Sequence, residues 1–166
     1  MSPLSKRWTK LSVLLLTAWL VAGTGSASPR NYTAVIDAGS SGSRVHLYER
    51  TVVGVNAEVR SIFSKQGGRP MSSFAASPDD AGPIGVKPLL DELSAALAGI
   101  NVLPHQVHVH LLATAGMRLI EERNPASANA IYASVRATLA ASGMSVGRVE
   151  TLAGVDEGVY AWVDLN

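Results

Sequence analysis

The sequence predicts an α/β fold built on one mixed sheet, with its elements in the order β-β-β-α-β-α-β-α. Three observations carry that prediction. Adjacent β-prone runs joined by tight turns in the first half give antiparallel pairing. Later runs alternate with stretches of helical periodicity, which gives parallel strands joined by crossovers. No internal repeat interrupts the alternation.

Each element has its own signal. Residues 32–37 read as the first strand and 44–51 as the second, where Val45 and Leu47 alternate with polar neighbours. Residues 52–64 alternate weakly and form the third strand, with Gly54-Val55-Asn56 as the turn before it. Residues 65–85 are rich in Gly, Pro, Ser and Asp and read as a long surface loop, in which a solvated Lys65 is favoured over one that reaches an anion. In residues 85–100, Val86, Leu89, Leu90, Leu93, Leu97 and Ile100 recur at helical spacing, and Pro88 sits where a first turn tolerates it. Residues 106–113 alternate and then become continuously apolar, as a buried strand does. Residues 124–142 form the second helix, with Ile131, Val135 and Leu139 as its core face and Gly143 as its stop. A short strand at 149–152 leads into a helix start at 154–162.

Composition narrows the function classes. Fourteen Lys and Arg against 13 Asp and Glu leave a net charge of +1, with no basic field of the kind nucleic acid requires. The chain has no cysteine, which excludes disulfides, thiolate zinc sites and a thiol nucleophile. Lys6, Arg7 and Lys10 precede an apolar run over 11–23, and Gly25-Ser26-Ala27 follow it. That is the layout of a secretory signal cleaved after Ala27, so residues 28–166 would be an exported periplasmic or secreted domain without stable membrane association. An uncleaved signal anchor is the alternative. Asn31-Tyr32-Thr33 is formally a glycosylation acceptor. His108 and His110 share one face of their strand and His105 lies just before it; with no third ligand of matching type nearby, an exposed face is favoured over a metal site.

Chemistry concentrates at three predicted strand ends. Val35-Ile36-Asp37-Ala38-Gly39-Ser40-Ser41-Gly42-Ser43-Arg44 brings a carboxylate into a glycine-serine turn. Two glycines let successive backbone N–H groups converge on an anion, and three hydroxyls and a guanidinium add donors. Asp37 would repel that anion unless it held a divalent cation, directly or through water. An ordinary polar hairpin turn is the competing reading. Thr114, in Ala113-Thr114-Ala115-Gly116-Met117-Arg118, has small neighbours that allow a ligand close approach, with simple tight packing as the competing and plainer reading. The third stretch, Leu152-Ala153-Gly154-Val155-Asp156-Glu157-Gly158, puts Glu157 where it could take a proton from water, with Asp156 as its competitor and helix-start electrostatics as the plainer account. Ligands of parallel sheets bind beyond the carboxyl ends of strands, and all three stretches lie at such ends.

The three stretches resemble the first three conserved regions of the apyrase family, the nucleoside triphosphate diphosphohydrolases, with Arg44-Val45-His46-Leu47-Tyr48 closest to the soluble secreted and bacterial members. The resemblance runs from Tyr32 to Asn166. It implies the first domain of an actin-like, ribonuclease-H-like two-domain fold, nucleoside di- or triphosphate substrates, and magnesium or calcium. Carried over by position, Glu157 is the general base, Ser40, Ser41, Gly42, Ser43 and Arg44 form a phosphate loop, Thr114 positions water or phosphate, and Asp37 holds a metal-bound water. The family continues beyond the third region with a second phosphate loop and a base-binding domain. A non-catalytic remnant with weak phosphate binding and an exopolyphosphatase-like hydrolase are therefore alternative expectations.

Overall fold

A computed structural model describes residues 30–154. Five strands form one sheet: β1 (Arg30–Gly39), β2 (Gly42–Val53), β3 (Asn56–Gly67), β4 (Val107–Ala113) and β5 (Ser145–Thr151). Their spatial order is β3-β2-β1-β4-β5. The β1–β2 and β2–β3 pairs are antiparallel, and β1–β4 and β4–β5 are parallel. The predicted mixed sheet is therefore the observed one. Tight turns make the antiparallel half: Gly54 takes φ 63° at the β2–β3 turn, a region open to glycine at little cost.

Three helices cover one face of that sheet: α1 (Lys87–Gly99), α2 (Ala115–Arg123) and α3 (Pro125–Ala141). From the strands, Ile36, Val45, Leu47, Val109 and Leu111 turn towards them; from α1 and α3, Leu93, Leu97, Ile131, Val135 and Leu139 answer. All ten are essentially inaccessible to water. Each such leucine or isoleucine, cut to alanine, would cost about 2–5 kcal/mol. At the start of α3 the Asn124 side chain accepts the Ser127 N–H at 3.2 Å, closing one of the helix's orphan donors.

The structure corrects the sequence reading in three places. A separate helix, α2, follows Thr114, so the described order is β-β-β-α-β-α-α-β. It was hidden because only Met117 of its nine residues is buried, too thin an apolar stripe to show a period. Residues 65–85 are not a surface loop throughout. Met71 and Phe74, in a short 3-10 turn (Met71–Phe74), enter the core, and a π-helix (Ala81–Val86) lies against α3. Gly82 makes that contact possible, since a Cβ there would collide with Thr138 Oγ1 and the Ser134 carbonyl. Finally, β5 starts at Ser145, before the predicted 149, because its first residues run along an exposed sheet edge that needs no apolar signal.

His108 and His110 lie on the face away from the helices, one exposed and one half-buried. His110 Nδ1 accepts the Arg148 N–H at 3.0 Å, and its ring covers Gly147. No group of three or more ligating side chains occurs among the described residues. No helix among them is long and apolar enough to cross a membrane. The predicted leader and the last helix, apart from Gly154, lie outside them.

Candidate functional site

Sheet order brings the carboxyl ends of β1, β4 and β5 to one edge, and β2 begins there by turning back from β1. The turn is as tight as a hairpin allows: Gly39 faces Gly42 across it, leaving Ser40 and Ser41 as its tip. Gly42 has φ 151°, and a Cβ on it would lie 3.1 Å from the Gly68 carbonyl oxygen, so both its torsion and its packing call for glycine.

Alternation then sorts the site residues between the two faces. Asp37 and Arg44 are direct cross-strand partners, exposed on the face away from the helices. With Gly39, Ser41, Gly42, Ser43 and Gln66 they line a cavity of about 170 Å³. Arg44 Nη2 donates to Gln66 Oε1 at 2.8 Å. Ser40 and Ser41 are exposed at the tip. Ser43 points inward and is 1% exposed, and its hydroxyl donates to the Arg69 carbonyl at 3.4 Å. Its side chain thus fastens the hairpin to the segment after β3.

Thr114 stands between β4 and α2 with extended backbone (φ −121°, ψ −154°), and its carbonyl accepts the Met117 N–H at 3.0 Å. Its side chain does not cap α2, so the hydroxyl is uncommitted to the helix while the helix's first N–H groups stand beside it. A Cβ on Gly116 would lie 3.9 Å from Ser40 Cα and 3.0 Å from Ser72 Oγ. The first and second strand-end stretches therefore lie close together, with Ser72 packed beside Gly116.

The third stretch joins the second through its first residues. Leu152 N–H donates to the Ala113 carbonyl at 2.8 Å, and Arg118 Nη1 donates to the Leu152 carbonyl at 2.7 Å. Just before it, Thr151 Oγ1 donates to Glu121 Oε1 at 2.7 Å and meets the Tyr132 hydroxyl, while Arg136 Nη2 donates to the Val149 carbonyl at 2.6 Å. Burial pushes the Tyr132 phenol up to about 12, so it remains a neutral hydrogen-bonding group. Asp156 and Glu157 lie outside the described residues.

Electrostatically the site is a separated pair of opposite charges. Nearby, His46 sits two residues beyond Arg44, and its imidazole is held below the ordinary histidine value by burial, then by Arg44, with Asp37 opposing. Asp37 makes no ion pair among the described residues, leaving an open carboxylate beside a cavity with hydroxyl and guanidinium donors. A lone carboxylate suits a cation that keeps most of its waters and takes its other ligands from phosphate oxygens. Gln66 and Ser72 are site residues that sequence reasoning missed. Gln66 could have been found only from the register that sets it opposite Arg44, and Ser72 only from the fold of residues 65–85.

The GDA1/CD39 (nucleoside phosphatase) family model matches residues 25–166. Guanosine-diphosphatase of Schizosaccharomyces pombe is 34% identical over 88% of this chain and 26% of its own length. Ectonucleoside triphosphate diphosphohydrolase 8 of Gallus gallus is 32% identical over 81% of this chain and 27% of its own length. The chain thus spans about a quarter of these relatives. Among solved structures, nucleoside triphosphate hydrolases from Neospora caninum superimpose with a TM-score of 0.50 at 18% identity, covering 84% of this chain and 31% of that one, a likeness of fold.

Proposed function

The chain belongs to the GDA1/CD39 (nucleoside phosphatase) family, and from that premise we propose that it supplies the phosphate-binding and water-activating portion of an exported apyrase-type hydrolase of nucleoside di- and triphosphates. The observation that supports this most is the close approach of the glycine-serine hairpin and the Thr114–Gly116 turn at one sheet edge. Residues 38 and 113 meet there only because β1 and β4 are parallel neighbours.

In this reading the Ser40-Ser41-Gly42 tip and the backbone of Ser43 hold the terminal phosphate, and the Arg44 guanidinium neutralises part of its charge. Thr114 orients the phosphate or the attacking water. Glu157 removes a proton from that water as its oxygen bonds to the terminal phosphorus and the anhydride oxygen leaves with the shortened nucleotide. Inorganic phosphate and a nucleotide one phosphate shorter result. Asp37 would hold magnesium or calcium through water, and the cation would offset charge on the phosphate oxygens. Glu157 is supported by its position five residues past Leu152, whose backbone is tied to Ala113 and Arg118.

The experiment is phosphate release from nucleoside diphosphates, triphosphates and polyphosphate, with and without divalent metal, by the full-length protein that contains this chain, beside its Glu157→Gln variant. Metal-dependent release from nucleotides that drops at least 100-fold in the variant is expected. Undiminished release by the variant removes Glu157 as the base. Release from polyphosphate alone favours the exopolyphosphatase-like alternative. Metal-dependent nucleotide binding without release leaves a binding remnant.

A further inference from the structure

Two residues of the first motif, Asp37 and Arg44, and one outside the motifs, Gln66, form a row across β1, β2 and β3. Asp37 pairs with Arg44 across the first hairpin, and Arg44 pairs with Gln66 across the second. All three are exposed on the same face and line the same cavity. A carboxylate and a guanidinium set directly opposite each other on neighbouring strands are within reach of an ion pair. Here Arg44 turns the other way, donating to Gln66 Oε1 at 2.8 Å, and no ion pair joins it to Asp37 among the described residues.

We propose that Gln66 is a positioning residue that draws the Arg44 guanidinium away from Asp37, keeping the anion-binding cation and the metal-binding carboxylate of the candidate site from neutralising each other. The proposal rests on the phosphate-site reading given above. Its physical content is a competition. An amide oxygen accepts one N–H and leaves the guanidinium's full positive charge and remaining donors for phosphate. A carboxylate partner would cancel that charge and would itself lose its attraction for a cation. A neutral acceptor does what an acidic one could not, and β3's register puts its side chain where Arg44 can reach it.

The test uses the chain and three variants, Gln66→Met, Asp37→Asn and the double variant, with pyrophosphate as the probe in metal-free buffer. Methionine keeps the length of glutamine and removes the acceptor. Calorimetry is expected to show Gln66→Met binding pyrophosphate about tenfold more weakly than the parent. Adding Asp37→Asn should return affinity to within about twofold of Asp37→Asn alone, because the competing carboxylate is gone. A general loosening of the hairpin, or a loss of Gln66 as a direct pyrophosphate ligand, would leave the double variant about tenfold weaker than Asp37→Asn alone. That result, or parent-like binding by Gln66→Met, overturns the proposal. The Arg44 guanidinium resonances supply a readout independent of pyrophosphate: in Gln66→Met they should shift and their rotation slow as Arg44 pairs with Asp37, and in the double variant they should not. Should the parent bind no pyrophosphate at millimolar concentration, the phosphate-site reading fails, and these resonances still decide the positioning role, with no Asp37 pairing in Gln66→Met overturning it.

Discussion

Replacing Gly116 by alanine tests the junction on which the site depends. The added methyl would lie 3.0 Å from Ser72 Oγ and 3.4 Å from Ser72 Cβ, with Ser40 Cα at 3.9 Å. The 3.4 Å to Ser72 Cβ is ordinary van der Waals contact, so it is Ser72 Oγ that must give, by a few tenths of an ångström. The 3-10 turn that carries Ser72 is anchored in the core by Met71 and Phe74 at 1% exposure each, so the strain falls on the hydroxyl rather than on the turn. Overpacking of this kind costs about 1–3 kcal/mol. Against it, alanine in place of a helical glycine returns about 0.5 kcal/mol. A net loss of about 1–2 kcal/mol is expected, read from urea unfolding of the purified chain. Ser72→Gly removes the obstruction, so the double variant should recover at least about 1 kcal/mol relative to the sum of the single losses. Additivity within about 0.5 kcal/mol, or a Gly116→Ala chain as stable as the parent, would refute the junction. In the same variants pyrophosphate affinity should follow stability only if Ser40 moves with Ser72.

Gly82→Ala drives a methyl into Thr138 Oγ1 and the Ser134 carbonyl; a loss of about 3 kcal/mol should lower the urea midpoint by about 1.5 M, and Thr138→Ala should relieve only the side-chain part, because the carbonyl belongs to the α3 backbone. Asn124→Ala removes the acceptor for Ser127 N–H and should cost about 1 kcal/mol, or about 4 °C in Tm by calorimetry. For pH, burial first and then Arg44 lower the His46 imidazole, and burial, His108 and Arg148 lower that of His110. The unfolded chain therefore takes up protons at both positions before the folded chain does. Stability should be flat above a pH of about 6.5, fall below it and level off beneath the folded values, and His46→Gln combined with His110→Gln should flatten urea midpoints measured between about pH 7.5 and 5.5.

The sheet was legible because its strands carry strong local signals. Val45 and Leu47 alternate with polar neighbours, Leu111 to Ala113 run apolar into a buried position, and glycine marks the turns at 39, 42 and 54. The helices α1 and α3 each show four or more buried residues at helical spacing. What escaped was structure whose stabilisation is not periodic. Residues 71–86 have a loop's composition, yet glycines at 82 and 85 let the backbone press against α3 and Phe74, a contact that no hydropathy pattern encodes. The hairpin residues were recognisable as a local motif, and their division between faces followed only from pairing. Ser43 reads like its neighbours in the sequence, but lies on the buried face with its hydroxyl on Arg69, whereas Arg44 is exposed on the other.

Register also explains why the charges at this edge stay distinct. The pairs Gln66–Arg44, Arg44–Asp37, Asp37–Leu112 and Leu112–Glu150 form one row across all five strands. Read from β3, the row runs neutral amide, cation, carboxylate, apolar, carboxylate. Leu112 keeps Asp37 and Glu150 two strand spacings apart, about 9.5 Å, and Glu150 is engaged by Arg148 on its own strand. Among the described residues of the row, Asp37 is thus the carboxylate left for a cation. No segment of sequence contains this arrangement, since its members are spread from residue 37 to residue 150. It exists because β1 lies centrally, antiparallel to one neighbour and parallel to the other. A shift of one residue in any of these pairings would bring a side chain of the opposite face into the row on the slipped strand, breaking the charge order while leaving every motif intact.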